Sequence, residues 1–153
     1  MASDHKQMLE RMGRLPERIQ RLIEEESDED LKRAGIGGAW GAVEHIAHLK
    51  DLDEVSLERV DLILQEDDPE LEIFDTDVRA IEQDYHAEDA RQTSVEFENL
   101  RETLVNRLDA LDDDEWKRTA RHPELGSITL ESLVERLDEH DAQHFRALKD
   151  VLV

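Results

Sequence analysis

The chain has 153 residues, enough for one domain with a sizeable core, and it has no cysteine, which excludes disulfides, thiolate metal ligands and a cysteine nucleophile. Its 41 acidic residues against 19 basic ones give a formal net charge of -22, which repels phosphate backbones, and with no basic stripe this argues against nucleic-acid binding. Only five of the basic residues are lysines, a balance suited to a salt-rich cytoplasm where screening relieves self-repulsion; a merely acidic protein is the competing reading.

In chain order, Met8, Leu9, Met12, Leu15, Ile19, Leu22 and Ile23 recur at helical spacing and predict a first helix over about 5–26, which Pro16 either begins or kinks. The acidic stretch from Ser27 to Asp30 and the glycines at 35, 37 and 38 predict a turn. A second helix is expected from about Trp40 to Glu66, before Asp67-Asp68-Pro69. Its apolar residues occupy more than one face, and both His45 and His48 lie along apolar stripes, between which the pattern does not choose. Phe74, Val78, Ile81 and Tyr85 suit one short helix within 70–92, lying across an end of the bundle. Thr93 and Glu96 have capping-box spacing, so a third long helix is expected over about 93–111. Residues 112–128 read as a polar connection, with no convincing strand anywhere.

Thr129 is a candidate cap for the last helix, whose stripe of Leu130, Leu133, Val134, Leu137, Leu148 and Val151 continues through His140 and His144. Two histidines four apart share a helix face and can reach one metal ion, and a buried imidazole otherwise needs a partner. Two core histidines with ordinary hydrogen bonds are the alternative. The expected architecture is a four-helix bundle, all α, forming a single domain over 1–153, and its interior is a place where ligands from several helices can meet. With no leader-like segment and no long apolar stretch, a cytoplasmic location without membrane contact is expected.

The segment Trp40-Gly41-Ala42-Val43-Glu44-His45-Ile46-Ala47-His48-Leu49 resembles the first signature of the DinB/YfiT-like superfamily of metalloenzymes, and His140-Asp141 with His144 resembles its second. Phe97, Arg101, Trp116, His122-Pro123, Gly126 and Thr129-Leu130 resemble its layout between them, so the likeness spans about 9–152. Gly41 departs from the serine common there, which puts the local helix cap in doubt.

The resemblance implies a four-helix bundle with a three-histidine site for a divalent metal, carried over here to His48, His140 and His144. Such a site leaves a coordination position open, and imidazole ligands suit zinc first, with nickel, iron or manganese also accepted. The family includes S-transferases that use a low-molecular-weight thiol, so thiol activation is the leading expectation. A hydrolase using activated water and a non-catalytic metal-binding or dimerising bundle are its competitors. A small-molecule substrate is expected, and a homodimer is the one protein partnership in view. Arg101 is a candidate to meet an anionic group of substrate or cofactor, and Glu44 is a weak candidate base or second-layer acceptor, the simpler role being to complement a helix N-terminus. Asp141 points a quarter turn from the histidines, suited to orienting another group. Tyr85 and His86 read as loop packing that would border the site if 70–92 folds over it, His122 as a loop residue and His5 as part of a solvated terminus.

Overall fold

The computed structural model describes residues 2–152, with side chains from His5 onward. Four long helices carry it: α1 (Ala2–Ile23), α3 (Ala42–Gln65), α5 (Ala90–Asp109) and α7 (Leu130–Val151). Between them lie short helices α2 (Asp28–Lys32), α4 (Thr76–Glu82) and α6 (Asp113–Trp116), and a hairpin of β1 (Thr119–His122) and β2 (Gly126–Thr129). α1 packs against α5 and α7, and α3 against the same two, so the consecutive long helices α1 and α3 sit diagonally across the bundle.

Local chemistry sets the helix ends. Ser27, Asp75, Asp89, Asp112 and Thr129 each accept a main-chain N–H at a helix start, satisfying a donor that would otherwise be orphaned. Asp89 takes the role expected of Thr93, which is buried instead, so α5 starts three residues earlier than its sequence pattern suggests. Gly41 caps α3 without a side chain, because a Cβ there would run into the main-chain carbonyl of Arg33; serine has no room. Pro16 lies inside α1 without ending it. Proline lacks the N–H that would bond the carbonyl four residues back, here Met12, and Arg101 donates to that carbonyl at 3.0 Å in its place.

The connection 112–128 is not irregular. It forms α6 and a four-residue antiparallel hairpin in which Ala120 faces Ile128 and His122 faces Gly126, which takes the positive φ of 75° that the turn needs. The hairpin is tied down by main-chain bonds from Arg121 to Pro69 and from Leu71 to Arg121.

Two apolar clusters fill the bundle. One joins Met8, Met12, Ile63, Leu104, Leu108 and Leu130, and the other Ile19, Ile46, Leu49, Phe97, Phe145 and Leu148. Each fully buried Leu, Ile or Phe contributes about 1.5–3 kcal/mol of transfer free energy. Between the clusters runs a polar layer of buried Asp53, Arg101 and Asp141, with His48 beside it. No described helix is long and apolar enough to cross a membrane.

Candidate metal centre

α3 and α7 run antiparallel, so His48 meets His140 while His45, one turn earlier, meets His144. The i, i+4 spacing puts His140 and His144 on one face of α7, and His48 closes the group from α3. Nε2 of His140 stands 3.2 Å from Nε2 of His48 and 3.0 Å from Nε2 of His144. One ligand atom from each of the three lies within 4.8 Å of the others.

Burial, and then the charge of neighbouring imidazoles, pushes His48 and His144 down to about 3. Burial followed by the Arg101 charge lowers His140, and burial lowers His45. All four are therefore neutral at pH 7, each with a lone pair to offer. The donor set fits a divalent cation: three neutral nitrogens, no carboxylate, and spacings near the roughly 3.3 Å that separates two imidazole nitrogens each about 2.0–2.1 Å from a tetrahedral ion. The converging Nε2 atoms have only one another as partners, a contact that a shared cation would replace, while Nδ1 of His48 and of His140, on the other edge of each ring, is buried without a hydrogen-bond partner.

A second layer surrounds it. Nδ1 of His45 lies 2.9 Å from Nδ1 of His144 and fixes that ring's orientation. Trp40 stands against His45, His48 and Tyr85 with centroids 5.3 to 5.7 Å apart, and Phe74 packs edge-on to His48 at 5.7 Å. Tyr85 is buried beside His48 and donates its hydroxyl to Asp51, which also takes Arg79. Burial and Asp51 raise the phenol above its ordinary value, so it stays protonated. The 70–92 segment thus borders the cluster through Phe74 and Tyr85. His86 stays outside, its Nδ1 3.5 Å from Glu44.

Arg101 does not fulfil the role of receiving a substrate anion. It is 1 % exposed, and all five N–H donors are taken: two by Asp53, two by Asp141 and one by the Met12 carbonyl. Burial opposes its charge, but the two carboxylates outweigh that and hold it above its ordinary value. Asp141, the quarter-turn neighbour of His140, is the residue that orients Arg101. Glu44 sits in the first turn of α3, where a carboxylate complements the helix N-terminus. His5 is not solvated: it stacks on Trp116 at 4.1 Å and its Nε2 lies 2.7 Å from Glu131.

His48 and His140 open onto a cleft of about 420 Å³ between α3 and α7. Its walls include Leu52, Val60, Leu104 and Leu137, and its far end holds Arg59, Arg136 and His122. His122, expected as a plain loop residue, is brought there by the hairpin. The spacing offered a signal for the arginines: Arg59 follows His48 by eleven residues, three helical turns, and Arg136 precedes His140 by one turn.

Fold and site together define a class, helical bundles in which α3 and α7 bring three histidines together, two of them lining an open cleft. The chain belongs to the DinB superfamily, whose family profile matches residues 11–148. It is similar to a protein of Oceanobacillus iheyensis provisionally named a metal-dependent hydrolase, with 24% identity over 136 residues, 88% of this chain and 78% of that one. Its fold is that of YfiT from Bacillus subtilis, described as a probable metal-dependent hydrolase with an unusual four-helix bundle topology. The TM-score is 0.89 at 22% identity, covering 96% of this chain and 85% of that one.

Proposed function

We propose that this protein is a divalent-metal-dependent hydrolase of small molecules, with His48, His140 and His144 as the metal ligands. The observation that carries the reading is the convergence of three neutral ring nitrogens at the head of an open cleft. A divalent ion held by three imidazoles keeps its double charge and an open position, and so supplies Lewis acidity toward water or a thiol. Zinc is the ion such a set suits first, with nickel, iron and manganese as alternatives. Around it, His45 holds His144 in orientation, while Trp40 and Tyr85 exclude water from the side away from the cleft. The names of both relatives support hydrolysis.

A second reading, transfer to a low-molecular-weight thiol, is favoured by the all-nitrogen donor set. With no carboxylate on the ion, an anionic thiolate is a preferred additional ligand, and a chain without cysteine must take it from outside. The test is a cobalt-substituted sample titrated with several small thiols, beside an assay of the zinc form on ester, amide and phosphoester panels. Hydrolysis that stops on chelation and returns with metal supports the first reading. Thiol-induced change in the cobalt spectrum with no hydrolysis on any panel would shift the function to the second.

A further inference from the structure

The far end of the cleft gathers two arginines and a histidine. Arg59 and Arg136 both line it, and among the described residues neither forms an ion pair with a carboxylate. Arg14, Arg18 and Arg146 also lack an acidic partner, but all three are exposed and none lines this cleft. Arg59 is half-buried and has one protein acceptor, the main-chain carbonyl of Glu72 at 2.8 Å, which leaves other guanidinium N–H groups uncommitted. Burial lowers its pKa with no carboxylate acting against that, so its charge enters the cleft uncompensated. His122 lies close enough to both arginines that, after burial, their charges lower it further. Glu124 and Glu139 also line the cleft but are exposed.

The axial spacing along α3 puts the Cα of Arg59 about 16 Å from that of His48, and Arg136 lies about 6 Å along α7 from His140. Long side chains shorten that gap, and the wall carries Leu52, Phe74, Leu104 and Leu137 together with Ser56 and Thr76. A ligand that fills the cleft therefore meets the histidine cluster at one end, a mostly apolar wall in the middle and two uncompensated guanidinium groups at the other.

We propose that the cleft binds a small amphiphilic oxyanion, a carboxylate or phosphate ester with an apolar body, whose anionic head is held by Arg59 and Arg136 while its other end faces His48 and His140. This rests on the reading of the histidines as a metal site only for what happens at that other end. The arginine fork supplies the geometry for an oxyanion, and the half-burial of Arg59 strengthens its share of the pairing. In a chain of net charge -22, a half-buried arginine that lines a cleft without a carboxylate partner, with a second arginine beside it, marks a place where an anion is accepted.

The test is isothermal titration of hexanoate, hexyl phosphate and neutral hexanamide into metal-loaded wild type, Arg59→Gln and Arg136→Gln, and into His144→Ala, in which a carboxylate has no intact metal site to bind. The expected result is that at least one anion binds about tenfold or more tightly than hexanamide, in wild type and in His144→Ala alike. Each arginine variant loses about that factor for the anion and none for the amide. Preference for hexanoate alone or hexyl phosphate alone identifies the head group. Anions no tighter than hexanamide in His144→Ala, or no binding of any of the three at millimolar concentration, would overturn the proposal. If Arg59→Gln does not fold, exposed Arg136 decides the matter. A wild type that takes up no metal yet keeps the anion preference would remove the metal reading and leave this one standing.

Discussion

Two polar centres lie side by side in the bundle and are built on opposite principles. The Arg101 centre is closed: every guanidinium donor has an acceptor, and the side chain is cut off from solvent. The histidine centre is open: the Nε2 atoms face one another across 3.0 and 3.2 Å with only each other as partners, and a cleft reaches it. A satisfied buried network fixes a structure, whereas an unsatisfied one next to a cavity awaits a ligand. Arg101 also stands in for the hydrogen bond that Pro16 removes from Met12, so it ties α1, α3, α5 and α7 together at one level. The contrast separates the residues that hold the bundle from those proposed to act.

The largest expected effect falls on the closed centre. Arg101→Met leaves Asp53 and Asp141 as buried carboxylates without a countercharge and should cost about 3–5 kcal/mol in chemical denaturation, or prevent folding. A stable Arg101→Met variant with altered ligand binding would return Arg101 to the site. On the open side, acid should destabilise the metal-free protein. The folded-state pKa values of His48 and His144 are depressed below the unfolded value of about 6.5, so their contribution is complete above it and is lost as pH falls from there toward about 3. After discounting for partial exposure, the loss is on the order of 2 kcal/mol by pH 4. Measured as the difference between wild type and His144→Gln in chelator, the general relief of the acidic surface cancels; parallel pH profiles would contradict the burial of these rings.

Smaller changes sharpen the comparison. His45→Ala removes only the group orienting His144 and should weaken metal affinity about 10–100-fold without abolishing it. Competition against a chromophoric chelator measures this, and an unchanged affinity would reduce His45 to packing. Smallest per interaction is the response to salt. We propose that the acidic surface suits a salt-rich environment, so the melting temperature should rise between low and molar salt as repulsion is screened; a flat or falling curve would contradict it.

What the sequence made legible follows the strength of local signals. α7 carries both a cap at Thr129 and a long apolar stripe, and the structure shows both. The i, i+4 pair of His140 and His144 is a local feature, and so is visible without a fold. The hairpin was invisible because each strand has four residues, and only Ala120 and Ile128 are buried to give it a pattern. The capping-box spacing pointed to Thr93, but Asp89 caps α5 and Thr93 is buried, an outcome of tertiary packing that local spacing does not contain. Arg101 could not be assigned from the chain, because its partners lie 48 and 40 residues away. His45, His122 and Arg59 acquire their places from the α3–α7 approach and the hairpin, which single-helix periodicity does not contain. His5 reads in the sequence as part of a solvated terminus for the same reason: its stacking partner Trp116 sits on a short helix set by its own capping box.

The central claim is that the open centre holds an ion, and metal content by mass spectrometry of untagged protein tests it most directly, beside His48→Ala and His144→Ala. The account predicts about one divalent ion per chain in wild type, lost in both variants while each remains folded. No ion in wild type, and none taken up from zinc, nickel, iron or manganese, would contradict it and leave the three histidines as a hydrogen-bonded part of the core.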